Sequence, residues 1–394
     1  MLREIGPQLH ECGSRPFGGF MSLSDWTIAN PESAGLRSEP LRDLVEWLDG
    51  FGQANIHSVL VVRHGRLLFE HYRAGEDECW GEPLGSVAHG PDSKHDLRSV
   101  TKSVISLLFG IALDRKLIRD IDEAIIDWFP QYSDLRTPEK ERISLRHLLT
   151  MSAGLEWNEN LPFTDPKNSE MRMLWSADQY RYALEQPVVE PGGQVWNYNS
   201  GCTLLLEAVL AKAAGGALDD VAREFLLEPL GITDFAWTKN FKSGILEVGG
   251  LRLRSRDLAK IGQLVLNGGN WNGRHIVSQK WVKESTAAHI GPADLTYFYG
   301  YEWWLGRSLL EGREVPWICA MGHGGQRIFA VPALDLVAVV TAGLYADAIH
   351  GRLPLLIFNR YVLGAVVSED SGGPNLVYEP LRPSDCAHTA LASY

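Results

Sequence analysis

No window of the 394-residue chain approaches the ~20 consecutive apolar residues that a membrane-spanning helix needs. No membrane partner is therefore expected. The N-terminus, MLREIGPQLHECGSRPFGGF, scatters charge through a stretch with no apolar segment of signal-peptide length, which makes a cytoplasmic location the expectation. Basic residues are outnumbered, 37 Lys and Arg against 49 Asp and Glu, for a formal net charge of -12. Without a Lys/Arg block nothing supplies the phosphate-neutralising contacts of a nucleic-acid binder. Cysteine is scarce: Cys12, Cys79, Cys202, Cys319 and Cys386 are odd in number and widely spaced, with no C-x-x-C pair and no Cys/His cluster of zinc spacing. Free thiols and no metal are expected, and Cys202 reads as a small buried hydrophobe. Also missing are a G-x-S-x-G elbow, an H-E-x-x-H helix, a Walker glycine loop and a G-x-G-x-x-G after a strand.

What is present is an ordinary globular composition, 45% hydrophobic and 22% charged, in a chain longer than one core usually serves. Residues 1–40 are rich in Gly, Pro and Ser and read as an extended arm. Leu41, Leu44, Val45 and Leu48 recur at helical spacing. The run SVLVVRHGRLLFEHYR at 58–73 alternates around His64-Gly65 as a hairpin does. A polar stretch at 74–97 precedes SVTKSVISLLFGIALDRKL at 99–117, a helix apolar on a wide face and so predicted to be buried. Helical patterns then run to about residue 245. Strand signals return at 297–344, including LVAVVTAGL at 336–344 as a buried strand, and a helix near 346–364 closes the chain. This order predicts an α/β fold, an antiparallel sheet flanked by helices with an inserted all-α domain. The α/β domain would take 41–119 and 246–394, the helical domain 120–245, and the active site would lie between them.

Acyl transfer needs an activated nucleophile, a base for its proton and donors for the oxyanion. Ser99-Val100-Thr101-Lys102 supplies the first two, because positions i and i+3 at a helix start share a face. The helix N-terminus adds a backbone N–H and a positive dipole end. Burial of Lys102 would lower its pKa towards that of a useful base. Tyr198, in the loop EPGGQVWNYNSG at 190–201, could pass the proton to a leaving group. His323-Gly324-Gly325, in MGHGGQRIFAV, lets a substrate approach a strand edge closely, with His323 facing the cleft and the Gln326 amide as a second oxyanion donor. Trp196 is the tryptophan nearest this chemistry, and Trp157, Trp175, Trp303, Trp304 and Trp317 are further candidates for pocket walls.

These three motifs, in this order, resemble those of the serine β-lactamase and penicillin-binding protein superfamily: S-x-x-K, Y-x-N or S-x-N, and K-T-G or H-x-G. The stretches LRSVTKSVISLLFGIALDRKLIRDID, ISLRHLLTMSAGLEW and GGLRLRSRDLAKIGQLVLNGGNWNGRHIVSQKWV look like family blocks, and the likeness covers roughly residues 58–345. Within the superfamily the chain is most similar to the class C related branch, with its 6-aminohexanoate-dimer hydrolases and family VIII carboxylesterases. The resemblance implies a β-lactamase/transpeptidase-like fold, an acyl-enzyme on Ser99, proton transfer shared by Lys102 and Tyr198, backbone N–H donors from Ser99 and Gln326, and no cofactor. Two positions depart from the pattern. Ser200 stands where the family has Asn, and it cannot offer the amide that orients a β-lactam side chain. His323 replaces the Lys of K-T-G, which weakens the hold on a substrate carboxylate and leaves it to support the Tyr198 hydroxyl. Hydrolysis of small non-lactam amides or esters is therefore expected ahead of β-lactamase, D,D-peptidase or acyltransferase activity, with a catalytically silent binding protein as the other alternative. An apolar patch on the arm or a strand edge would support a homodimer.

Overall fold

The computed structural model describes residues 26–292, 296–346 and 348–367. Most of the arm expected at 1–40, with Cys12 and Cys386, lies outside the described residues. The chain starts with strand β1 (Thr27–Ile28), helix α1 (Ser38–Gly50) and the expected hairpin, β2 (Ile56–Arg63) and β3 (Arg66–Tyr72). His64 and Gly65 both have positive φ, 53° and 67°, as the tight hairpin turn requires. A second hairpin, β4 (Ala74–Cys79) and β5 (Glu82–Ala88), and a short strand β6 (Lys94–Asp96) lead to α2 (Val100–Asp114). Helices follow: α3 (Leu145–Leu149), α4 (Ser169–Leu174), α5 (Gln179–Glu185), α6 (Ser200–Ala214) and α7 (Leu218–Ala222).

Strands resume with β7 (Ala236–Lys239) and β8 (Leu246–Arg254), which join β6 in a three-stranded sheet. Then come α8 (Ser255–Leu266), the small ladder β9 (Asn270–Trp271) and β10 (Arg274–His275), and α9 (Gln279–Ser285). The meander β11 (Phe298–Tyr299), β12 (Trp304–Leu310), β13 (Arg313–Gly322), β14 (Gln326–Val331) and β15 (Leu336–Ala342) completes an eight-stranded sheet in the order β1-β3-β2-β15-β14-β13-β12-β11. A short helix α10 (Leu353–Ile357) and further helical turns cover it.

Helices flank both faces of this sheet, and the period-2 alternation of its strands explains how. On β15, Val337 and Val339 belong to the core that includes α2 and α8, while Leu336 and Ala338 pack with Leu41 of α1 and Phe358 on the other side. All ladder pairs are antiparallel except β1 with β3. The sequence misses two features. The segment 74–97, read as a polar stretch, forms β4, β5 and β6, because an exposed hairpin with mostly outward-facing residues carries little apolar alternation. Strand β7 likewise falls inside the run read as helical. Among the described residues, no single helix is long and apolar enough to cross a membrane.

Helix α2 anchors the fold. Every residue from Val100 to Ala112 is buried, and each large apolar side chain among them contributes on the order of 1.5–3 kcal/mol. Packing rather than propensity selects Gly110, since a Cβ there would lie 2.1 Å from the Trp281 ring, whose Nε1 donates to Ser106 O at 2.9 Å. Helix propensity alone favours alanine by about 1 kcal/mol. We expect the opposite sign: Gly110→Ala should lower stability by about 1–3 kcal/mol through overpacking, measurable by urea denaturation, and an unchanged or raised midpoint would contradict the contact.

Candidate active site

Ser99 sits at the N-terminal end of α2, and the residue before it is held in a strained conformation. Arg98 has φ 50°, in the left-handed region that a non-glycine residue occupies only when its surroundings enforce it. Its guanidinium pairs with Glu78 and with Asp96 at 3.5 Å, and lies 4.7 Å from the Trp80 ring and 4.9 Å from that of Tyr345. These contacts fix the turn that presents the serine.

Lys102 lies one turn on, 2% exposed. Its Nζ is 3.4 Å from Ser99 Oγ and donates to Ser200 Oγ at 3.1 Å, with the Tyr198 ring 5.2 Å away. The structure thus brings the first two motifs together, but the charge state of the lysine does not follow the sequence argument. Burial works to lower its pKa, as anticipated, yet the surrounding Tyr198, Glu159, Glu170 and Glu302 outweigh burial and hold the proton more tightly than usual. The ammonium is the resting form.

Glu159 and Glu302, which sequence reasoning missed, make this environment. Ser200 donates from Oγ to Glu159 Oε1 at 3.0 Å and from its backbone N to Oε2 at 2.8 Å, and Trp157 Nε1 donates to Oε2 at 2.6 Å. A continuous chain therefore runs from Lys102 through the Ser200 hydroxyl to the Glu159 carboxylate. Burial, reinforced by Glu170, pushes Glu159 up to about 7. Glu302 receives Thr203 Oγ1 at 2.9 Å and the Tyr299 hydroxyl at 3.0 Å, and burial pushes it up to about 8. Nothing local marks either glutamate, since Asn158-Glu159-Asn160 and Tyr301-Glu302-Trp303 have the look of loop and strand-edge sequence.

Tyr198 occupies the loop before α6, which Asn199 caps by accepting Cys202 N at 3.2 Å. Burial pushes its phenol up to about 12, against the opposing pull of the Lys102 ammonium and of its hydrogen bond with Ser99. Its ring stacks on Trp304 with centroids 5.9 Å apart, and Trp196 lies 6.0 Å from Tyr198 and 5.5 Å from Trp304. Trp196 and Trp304 therefore border the tyrosine. Trp157 serves Glu159, Trp303 and Trp317 are core residues, and Trp175 is 56% exposed against Phe241. Cys202 is buried, and burial raises its thiol well above the ordinary value, so it is not poised as a nucleophile.

The third motif forms a turn, His323–Gly325, between β13 and β14. Gly324 has φ 80°, and a Cβ there would strike Tyr345 at 2.4 Å, so only glycine fits. At Gly322 the backbone passes so close that a Cβ would stand 2.3 Å from Leu97 O, which brings the turn against the segment leading to Ser99. The Gln326 side-chain amide is engaged with His323 O at 3.2 Å and Ala342 O at 2.6 Å. Only its backbone N–H can serve a substrate. Burial, with His350 and Arg98 nearby, pushes His323 down to about 4, so it is neutral at pH 7. Its ring neighbours are Phe163, Tyr345 and His350, which make it part of an aromatic wall rather than a support for the Tyr198 hydroxyl.

A serine on a strained turn, a buried lysine and a loop tyrosine on a helix-flanked, mainly antiparallel sheet fit a serine hydrolase of the penicillin-recognising kind. A family model described as Beta-lactamase matches residues 47–348, and the chain belongs to that family. It is 25% identical over 299 residues to a 6-aminohexanoate-dimer hydrolase of Paenarthrobacter ureafaciens, covering 71% of this chain and 70% of that one. Two of the solved structures that share the fold are similar over most of this chain. One is a hydrolase with promiscuous acyltransferase activity (TM-score 0.62, 16% identity, 84% of this chain and 98% of that one). The other is a family VIII carboxylesterase (TM-score 0.59, 18% identity, 80% of this chain and 92% of that one).

The buried carboxyls also make stability depend on pH. Glu159, Glu302 and Glu207 hold protons more tightly folded than unfolded, so their contribution is fully present below the ordinary carboxyl range and is lost as pH rises, for Glu159 and Glu302 through about 7–8. The melting temperature should therefore fall between about pH 5 and about pH 8. Both carboxylate oxygens of Glu207 lack a hydrogen-bond partner among the described residues. Glu207→Gln should raise the melting temperature at the alkaline end and flatten the profile in calorimetry, and an unchanged slope would refute this account.

Proposed function

We propose that the enzyme hydrolyses amide or ester bonds of small, non-lactam substrates through an acyl-enzyme on Ser99, in a cleft between the sheet and the helical segment. Ser99 Oγ attacks the carbonyl carbon while its proton passes to the Lys102 amine. The backbone N–H groups of Ser99 and Gln326 receive the oxyanion. As the tetrahedral adduct collapses, the carbon–nitrogen or carbon–oxygen bond to the leaving group breaks and the Tyr198 hydroxyl protonates that group. Water then adds to the acyl ester with the proton roles reversed, releasing the acid and restoring Ser99.

The observation that carries this reading is Lys102 Nζ, 3.4 Å from Ser99 Oγ at a helix N-terminus and 3.1 Å from Ser200 Oγ. The second contact supports a route by which a resting ammonium becomes a base. Its proton moves to Ser200 Oγ as the serine hydroxyl proton moves to Glu159, leaving a neutral amine beside a neutral carboxylic acid in a buried setting that disfavours charge. Ser200, a departure from the family's Asn, becomes the bridge in that transfer. His323, Gly324, Gly325 and Trp196 line and orient the acyl group. A neutral His323 in an aromatic wall suits an uncharged substrate better than the carboxylate of a β-lactam, which ranks lactam hydrolysis and transpeptidation second.

A serine-directed fluorophosphonate should label Ser99 stoichiometrically, as read by peptide mass spectrometry. Ser99→Ala and Lys102→Ala should each cost on the order of 10³-fold or more in turnover of p-nitrophenyl esters or the 6-aminohexanoate dimer, because the groups act as one unit. Faster turnover of a chromogenic cephalosporin than of every ester and amide would favour the lactamase reading. Failure to label any serine would leave a silent binding protein. Glu159→Gln should lower kcat about 10²-fold and shift its pH profile while leaving the melting curve cooperative, and an unaltered pH profile would remove Glu159 from proton transfer.

A further inference from the structure

A second cluster of titratable side chains lies behind the Ser99 turn, where the chain brings His57 of β2, Asp77 of β4, His89 just after β5 and His95 of β6 together. His57 Nδ1 and His95 Nε2 are 2.8 Å apart, and Asp77 Oδ1 is 4.0 Å from the first and 3.5 Å from the second. The other ring nitrogens determine the tautomers. Asn55 spends its Nδ2 on Glu76 O and Gly343 O, so its Oδ1, 3.0 Å from His57 Nε2, can only accept. His95 Nδ1 faces the carbonyl Asp96 O at 3.0 Å. His57 Nε2 and His95 Nδ1 therefore carry the hydrogens, and the two nitrogens at 2.8 Å present lone pairs to each other and to a buried carboxylate. Three electron pairs converging in this way repel unless a cation lies among them. His89 supplies an independent sign: its side chain is 4% exposed, its Nε2 has no hydrogen-bond partner among the described residues, and that atom lies 3.8 Å from Asp77 Oδ2.

We propose that this pocket binds one divalent d-block cation of the zinc type, with His57 Nδ1, His95 Nε2 and Asp77 Oδ1 as its core ligands and, once its ring turns out of its stack on His57 (centroids 4.0 Å apart), His89 Nε2 as the fourth. The three core separations straddle the ~3.3 Å edge of a tetrahedron with bonds of ~2.0–2.1 Å. Asn55 and the Asp96 carbonyl hold the distal ring N–H groups as outer-shell acceptors do. A closed set of four protein ligands is structural rather than catalytic. The cation would fasten the β4–β5 hairpin, which supplies the Glu78 and Trp80 contacts to Arg98. The C-x-x-C and clustered-ligand spacings sought in the sequence do not occur here, because the ligands come from four separate strand segments.

The test uses the full-length, tag-free protein stripped with a chelator. Adding Co²⁺ should give the visible absorption of a tetrahedral N/O site at one equivalent, and Zn²⁺ should displace it and raise the melting temperature by roughly 3 °C at a hundredfold excess over Kd. His89→Gln, at the outer edge of the cluster, should fold and weaken Zn²⁺ binding by about 10-fold or more, and His57→Gln should abolish the cobalt spectrum. Should the His57 variant not fold, the wild-type titration and the His89 variant decide. A stripped wild-type chain that takes up no Co²⁺ and melts identically with and without Zn²⁺ overturns the site, and unaltered affinity in His89→Gln overturns the four-ligand set.

Discussion

The buried Lys102 ammonium sets the terms for its surroundings. A cation of this kind costs several kcal/mol to remove from water unless opposite charge and hydrogen bonds compensate. Glu159 and Glu302 provide that compensation, and they raise the lysine's proton affinity in doing so. The carboxyls are in turn stranded by burial and kept near neutrality in their own titration. Each group is tolerable only because of the others, which ties α2, the loop before α6 and the Glu302 turn into one electrostatic unit. In that unit the lysine's proton is held by the same acids that burial makes reluctant to ionise.

Around this unit the backbone is held rather than relaxed. Arg98 keeps a left-handed conformation under two carboxylates and two rings, and Glu302, itself at φ 61°, is tied by Thr203 and Tyr299. Strain of this sort persists where rigid neighbours over-determine it. Here those neighbours are the continuous buried face of α2 and the close crossing of Gly322 over Leu97.

How much of this could be read beforehand depended on range. The hairpin at His64-Gly65, the buried α2 and the β15 run were legible because turn chemistry and apolar periodicity are local signals. The meeting of Ser99 with Lys102 was legible for the same reason, since three residues on a helix fix a geometry. Tyr198 and His323 had weaker local marks and depended on motif order. Glu159, Glu302 and the histidine cluster were illegible, because their significance lies wholly in what a distant segment places beside them. The direction of the Lys102 shift was misjudged for that reason too: burial can be guessed from sequence, but the acids that outweigh it cannot.

The pairing of β2 with β15 carries a consequence for biosynthesis. All eight residues of β2 are buried, and the neighbour that covers one of its edges is residues 336–342. A ribosome must therefore emit the chain as far as residue 342 before the sheet can close. Through that interval the nascent β2–β3 ribbon has an apolar, unpaired rim, and contacts so distant in sequence form slowly. The yield of active enzyme in a cell should then be governed by how well that rim is shielded during translation, and truncations that omit β15 should be insoluble rather than merely less active.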